Sequence, residues 1–233
     1  MRQSIEKNCP HHGPYYAPYD DPEAECPICA ERKYRNYEKF IAKIPKAYLD
    51  VCFENYITVT EEQRGTVRFC RAFVQKMIEL YEQKKPLKLG LVFFGKPGTG
   101  KTHLVLSILK QLAKAGISVE YITCTQLAEY DVSISVNRNV ENERAHLKKV
   151  QVLVIDDLVK QTFPSRKELL FNIVDTRYSN LECTILITNA YDKGFNQHDP
   201  RVISRMQERA YFLPFMWEDY RATVKKLGTK KQL

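Results

Sequence analysis

Residues 89–102 read L-G-L-V-F-F-G-K-P-G-T-G-K-T, and the fold class turns on them. Leu89–Phe94 is an apolar run of strand length. Gly95–Thr102 matches the G-x-x-x-x-G-K-[ST] phosphate-loop pattern in full, and His103–Leu112 carries a helical pattern. Strand, glycine loop and helix in that order have a physical purpose. The glycines let the loop wrap so that backbone N–H groups point at phosphate oxygens, and the helix N-terminus adds positive potential there. Lys101 brings a full charge to the β- and γ-phosphates, and the Thr102 hydroxyl is placed to ligate Mg²⁺. The expected contacts to ATP are Gly95, Lys96, Pro97, Gly98, Thr99, Gly100, Lys101, Thr102 and His103. A chance glycine-rich loop is the rival, and correct flanks on both sides weigh against it.

Outward from the loop the rhythm alternates. Apolar runs lie at 89–94, 117–122, 151–155, 183–188 and 210–215, and helical patterns lie near 101–115, 125–131, 141–149, 165–179 and 199–208. Such alternation implies an α/β domain: a mostly parallel sheet between two helical layers. Upstream, a helix spans about 61–84, opened by a capping box of Thr60 and Gln63. Residues 46–60 read as extended and loop-like. Residues 30–44 place Tyr34, Tyr37, Phe40, Ile41 and Ile44 at helical spacing, and Pro45 ends that helix. The chain therefore divides into an N-terminal element, 1–44, and an ATPase domain, 45–233.

Q-V-L-V-I-D-D-L, residues 151–158, is a buried strand ending in two carboxylates. Beside a phosphate loop, Asp156 would hold the Mg²⁺ shell and Asp157 would polarise the attacking water as general base. Alone, the pair reads equally as a helix cap. Asn189 ends another strand in L-I-T-N, where it could orient water or merely begin a turn. Arg201 and Arg205 share one helix face, and Arg221 follows. An arginine beside a transferring phosphoryl group stabilises its charge, while surface salt bridging is the plainer reading.

Near the N-terminus, Cys9-x2-His12 and Cys26-Pro-Ile-Cys29 form two elbows that can supply four ligands to a structural zinc. His11 competes with His12; the spacing favours His12. A redox C-x2-C needs a thioredoxin-like context that is missing. Residues 9–29 show no helical or strand period and cannot bury a core, so metal would supply folding energy.

The chain has 233 residues, a formal net charge of +8 and seven cysteines. No run approaches a membrane span, and no apolar signal segment opens the chain, so a cytoplasmic protein without disulfides is expected. The basic balance suits a polyanion partner. Arg138, Arg144, Lys148, Lys149, and Lys160–Lys167 with Phe163 and Arg166 are candidates for single-stranded DNA contact. Each could equally belong to a solvated face.

F-E-N-Y (Phe53–Tyr56), the phosphate loop, V-L-V-I-D-D-L, R-V-I-S-R-M and W-E-D-Y-R (Trp217–Arg221) together resemble the DnaC-type helicase loaders. These are AAA+ ATPases near the IstB transposase helpers. The resemblance covers roughly residues 49–224. It implies a three-layer αβα AAA+ domain, with Asp156 and Asp157 as Walker B acids, Asn189 as sensor 1, Arg205 (or Arg201) as arginine finger and Arg221 as sensor 2. It further implies ATP-linked self-association, a hexameric replicative DNA helicase as partner, and loading of that helicase onto single-stranded DNA. By the same analogy residues 1–44 would contact the helicase. An IstB-like role beside a transposase is the alternative; a small-molecule P-loop enzyme is the weakest. Two departures stand out. Asp157 replaces the family's usual Glu, which predicts slow hydrolysis. Only about 28 residues follow Arg205, too few for a full C-terminal lid.

Overall fold

The computed structural model describes residues 4–9, 11–21, 23–132, 138–158, 164–190 and 198–220. Its centre is a five-stranded parallel sheet. The strands are β3 (Gly90–Gly95), β4 (Val119–Thr123), β5 (Val152–Asp156), β6 (Cys183–Thr188) and β7 (Ala210–Phe215), in the order β4-β5-β6-β3-β7. Every residue of β5 and β6 is buried, as expected for strands covered on both faces. Alternate side chains go to opposite layers. Leu91, Phe93, Val154, Ile185 and Ile187 pack with α1 (Pro27–Lys43), α2 (Glu61–Glu82) and α3 (Lys101–Lys114). Val92, Leu153, Ile155 and Leu186 pack on the other side. That layer holds α4 (Cys124–Val132), α5 (Arg138–Lys149), α6 (Pro164–Ser179) and α7 (Pro200–Arg209). Among the described residues no helix is long and apolar enough to cross a membrane.

The capping box at the start of α2 forms: the Gln63 N–H donates to Thr60 Oγ1 at 3.2 Å, and the Thr60 N–H to Gln63 Oε1 at 3.1 Å. Two features differ from the sequence expectation. Two N-terminal strands, β1 (Ser4–Cys9) and β2 (Gly13–Pro18), pair as an antiparallel hairpin. It has too few alternating apolar side chains to announce a buried face, so periodicity misses it. Helix α1 also starts at Pro27 rather than near residue 30, because proline at the first turn has no N–H to lose. Between α1 and α2, Lys46–Tyr48 is a short 3-10 turn. The stripe on α1 is covered by the sheet domain except at Tyr34, which stands exposed. Phe40 and Ile44 are buried in its core, Asn36 Nδ2 donates to the Gly116 carbonyl at 2.8 Å, and Lys43 pairs with Glu120 on β4 at 2.7 Å.

Candidate functional site

The phosphate loop leaves β3 at Gly95 and enters α3 at Lys101. Gly95 and Gly100 have φ of +128° and +90°, a region other residues rarely adopt. A Cβ at Gly95 would sit 2.3 Å from the Phe215 carbonyl oxygen, and one at Gly100 2.6 Å from the Tyr56 ring. Neighbours therefore press on the loop from outside. The Lys96 N–H donates to the Phe215 carbonyl at 3.0 Å and the Tyr220 N–H to the Gly98 carbonyl at 2.8 Å. The Tyr56 hydroxyl and the Trp217 indole N–H both donate to the Thr99 carbonyl, at 3.1 and 2.9 Å. Tyr56 and Tyr220 stack with ring centroids 4.7 Å apart, and His103 meets both edge-on. F-E-N-Y and W-E-D-Y thus buttress the loop from behind. Their sequence pattern carries a resemblance but no mechanism, because the contacts to Thr99 span 43 residues from Tyr56 and 118 from Trp217.

The loop opens on a cavity of about 680 Å³, lined on its far side by Tyr121, Asp156, Asp157 and Asn189. Lys101 is buried and donates to the carbonyls of Gly95 and Lys96 at 3.0 and 2.6 Å. Burial lowers its ammonium to about 8, against the pull of Asp156 and Asp157. The Thr102 hydroxyl donates to Asp156 Oδ2 at 2.9 Å, which puts the two expected Mg²⁺ contacts side by side. Tyr121 donates to the same oxygen at 2.6 Å, and the Asp157 N–H to Oδ1 at 2.6 Å. Asp157 is exposed to the cavity and sits at φ +53°, a left-handed conformation that Asp tolerates. Asn189 emerges at the end of β6. Behind it the Thr188 hydroxyl donates to the Leu158 carbonyl at 3.0 Å, tying that strand end to the loop after the two acids. Backbone amides, an ammonium, a hydroxyl and carboxylates are the donor set a Mg²⁺-triphosphate needs, and here they line one cleft.

At the other end of the chain Cys9, His12, Cys26 and Cys29 converge, with ligand atoms all within 4.8 Å of one another. His12 Nδ1 lies 3.6, 3.6 and 3.4 Å from the three sulfurs, and Cys9 Sγ is 3.6 Å from Cys29 Sγ. A tetrahedron with zinc–sulfur arms of about 2.3 Å has edges of about 3.8 Å, so the set fits that ion. His11 is turned away and stacks on Tyr81 of α2 at 5.9 Å. The hairpin supplies Cys9 and His12, and Cys26 and Cys29 sit at the N-terminus of α1.

The family model for IstB-like ATP binding protein matches residues 78–206, more than half of the chain. The chain belongs to this IstB-like ATP-binding family. Curated relatives of the family chain include the replicative helicase loader DnaC of Buchnera aphidicola subsp. Schizaphis graminum. It is 29% identical over 206 residues, covering 85% of this chain and 81% of the relative. The DnaC of Escherichia coli K12 is 30% identical over 177 residues, covering 74% and 69%. A crystal structure of the DnaC helicase loader superposes with a TM-score of 0.65 at 24% identity, covering 73% of this chain and 99% of that one, and supports the fold.

Other expected site residues of this family member stand elsewhere. Arg201 pairs with Glu168 and Asp199 at 2.7 and 2.8 Å, and Arg205 pairs with Asp175 at 2.8 Å on α6. Neither lines the cavity of its own chain. Arg144, Lys148 and Lys149 lie on α5 and Arg166 on α6. Arg138 opens α5, but its side chain lies outside the described residues, as do Arg221, Lys160 and Phe163. A functional residue the pattern missed is Tyr121, which reaches Asp156 from the neighbouring strand. Nothing in V-E-Y-I-T marks it, since an aromatic in a strand usually serves packing.

Proposed function

We propose that this chain is an ATP-dependent loader that binds a hexameric replicative DNA helicase and helps place it on single-stranded DNA. The observation that carries this reading is the reach of the similarity to replicative helicase loaders. It covers 85% of the chain and so extends well beyond the family-matched core. Lys101 and the loop amides hold the triphosphate, while Thr102 and Asp156 hold Mg²⁺, which neutralises phosphate charge when bound. Asp157 takes the proton of the attacking water, and Asn189 orients that water. The shorter Asp157 side chain makes hydrolysis slow, which suits a switch. Arg205, facing away from its own cavity, reaches the nucleotide of a neighbouring copy, so ATP binding is linked to self-association. Arg221 completes the site as sensor 2. Cys9, His12, Cys26 and Cys29 hold a structural zinc that closes the hairpin onto α1. Tyr16, Tyr19, Ile28 and Tyr34 stand exposed around that element, which supports it as the helicase-facing part. The basic residues of α5 and α6 contact DNA.

The test is co-purification of the full-length chain with the replicative helicase, with and without ATP and Mg²⁺. Helicase retained only with nucleotide, and lost in Lys101→Ala, is the expected outcome. Capture of a transposase with no helicase would favour the IstB-like role instead.

A further inference from the structure

The Walker B carboxylate is gripped from three elements at once. Asp156 ends β5, Thr102 opens α3, and Tyr121 sits on β4. In register, Tyr121 lies opposite Val154 and Thr123 opposite Asp156. Two residues along a strand are about 6.6 Å, a span the phenol side chain covers, so its hydroxyl arrives at Asp156 Oδ2. Oδ2 then accepts from both Tyr121 and Thr102, while Oδ1 accepts the Asp157 N–H. A carboxylate's last torsion is broad and soft. Donors on both oxygens remove that freedom. A Thr102 hydroxyl that turns its oxygen to a metal keeps its proton on Asp156, and Tyr121 supplies a second donor that needs no rearrangement. The ring of Tyr121 also packs on the core, but phenylalanine would serve that purpose alone.

We infer that Tyr121 is a positioning residue for the divalent-cation site, fixing the Asp156 carboxylate toward Thr102 and the metal. The inference rests on the ATP-and-magnesium reading of this cavity. It places the effect on the cation rather than on the nucleotide, because Tyr121 acts through Asp156 and leaves the phosphate-binding amides untouched.

The test uses full-length protein and Tyr121→Phe, which keeps the ring. Two quantities are measured: ATP affinity by calorimetry in EDTA, and Mn²⁺ affinity by electron paramagnetic resonance on protein saturated with a non-hydrolysable ATP analogue. In Tyr121→Phe the Mn²⁺ affinity should fall about tenfold, the loss of one charge-assisted hydrogen bond, while metal-free ATP affinity stays within about twofold. The same substitution in an Asp156→Asn background should cause no further loss. Unchanged Mn²⁺ affinity, or an equal loss without Asp156, overturns the role of Tyr121. Failure of the parent chain to bind ATP at all overturns the reading of the cavity and this inference with it.

Discussion

Lys101 is held in a closed position by two loop carbonyls, and burial lowers its ammonium from 10.5 to about 8. The ammonium is therefore half-charged near pH 8, charged well below it and neutral well above it. A triphosphate favours the charged form and pulls the value back up, so binding above pH 8 takes up a proton. ATP affinity should be flat below about pH 8 and decline toward pH 10. Calorimetry of ATP binding at pH 9 in buffers of different ionisation enthalpy should show proton uptake; no buffer dependence would contradict the assignment. Arg177 is the opposite case, fully buried and invisible to motif reading. Its guanidinium donates to the Thr184 hydroxyl and to the carbonyls of Leu147, Val150, Gln151 and Cys183. Arg177→Met would leave several buried acceptors short of a donor, at about 1–3 kcal/mol each. A loss of about 3 kcal/mol or more is expected in denaturant unfolding, and a change under about 1 kcal/mol would contradict it. Lys101, Thr102 and the two acids were legible because their chemistry demands fixed spacing along the chain. Arg177 and Tyr121 act across elements, and one-dimensional spacing holds no trace of such contacts.

The elements divide by how much apolar surface they bury. Strands β5 and β6 are buried on both faces and stand out as continuous apolar runs, and α2 carries its own start signal in Thr60 and Gln63. Thr60→Ala should cost about 1 kcal/mol, read as a lower urea midpoint at unchanged slope. No shift would mean that the cap carries no weight. The pairing of β1 with β2 was not legible, because backbone pairing beside a Cys/His cluster, rather than an apolar face, marks it. Purified protein should therefore contain close to one zinc per chain. Chelation or Cys26→Ser should raise amide exchange in β1 and β2 and leave β3–β7 protected. Protein without zinc and with a protected hairpin would end the zinc assignment.

At the scale of the whole molecule, α1 joins the Cys/His cluster to the sheet domain. Its N-terminus carries Cys29, its C-terminal half buries Phe40 in the core, and Lys43 lines the nucleotide cavity. Arg205 looks outward from the opposite side of the sheet, paired with Asp175. If it completes a neighbour's site, Arg205→Ala should lower ATP turnover severalfold in the assembled state and leave dilute monomer unchanged. An equal loss in both would place its role within one chain. The roles given to the two acids and to Arg205 depend on nucleotide in the glycine loop. The most direct measurement is titration calorimetry of ATP and Mg²⁺ into folded, zinc-replete protein. Saturable uptake at one site per chain is expected, abolished in Lys101→Ala with the fold intact. No uptake, or uptake indifferent to Lys101, contradicts it.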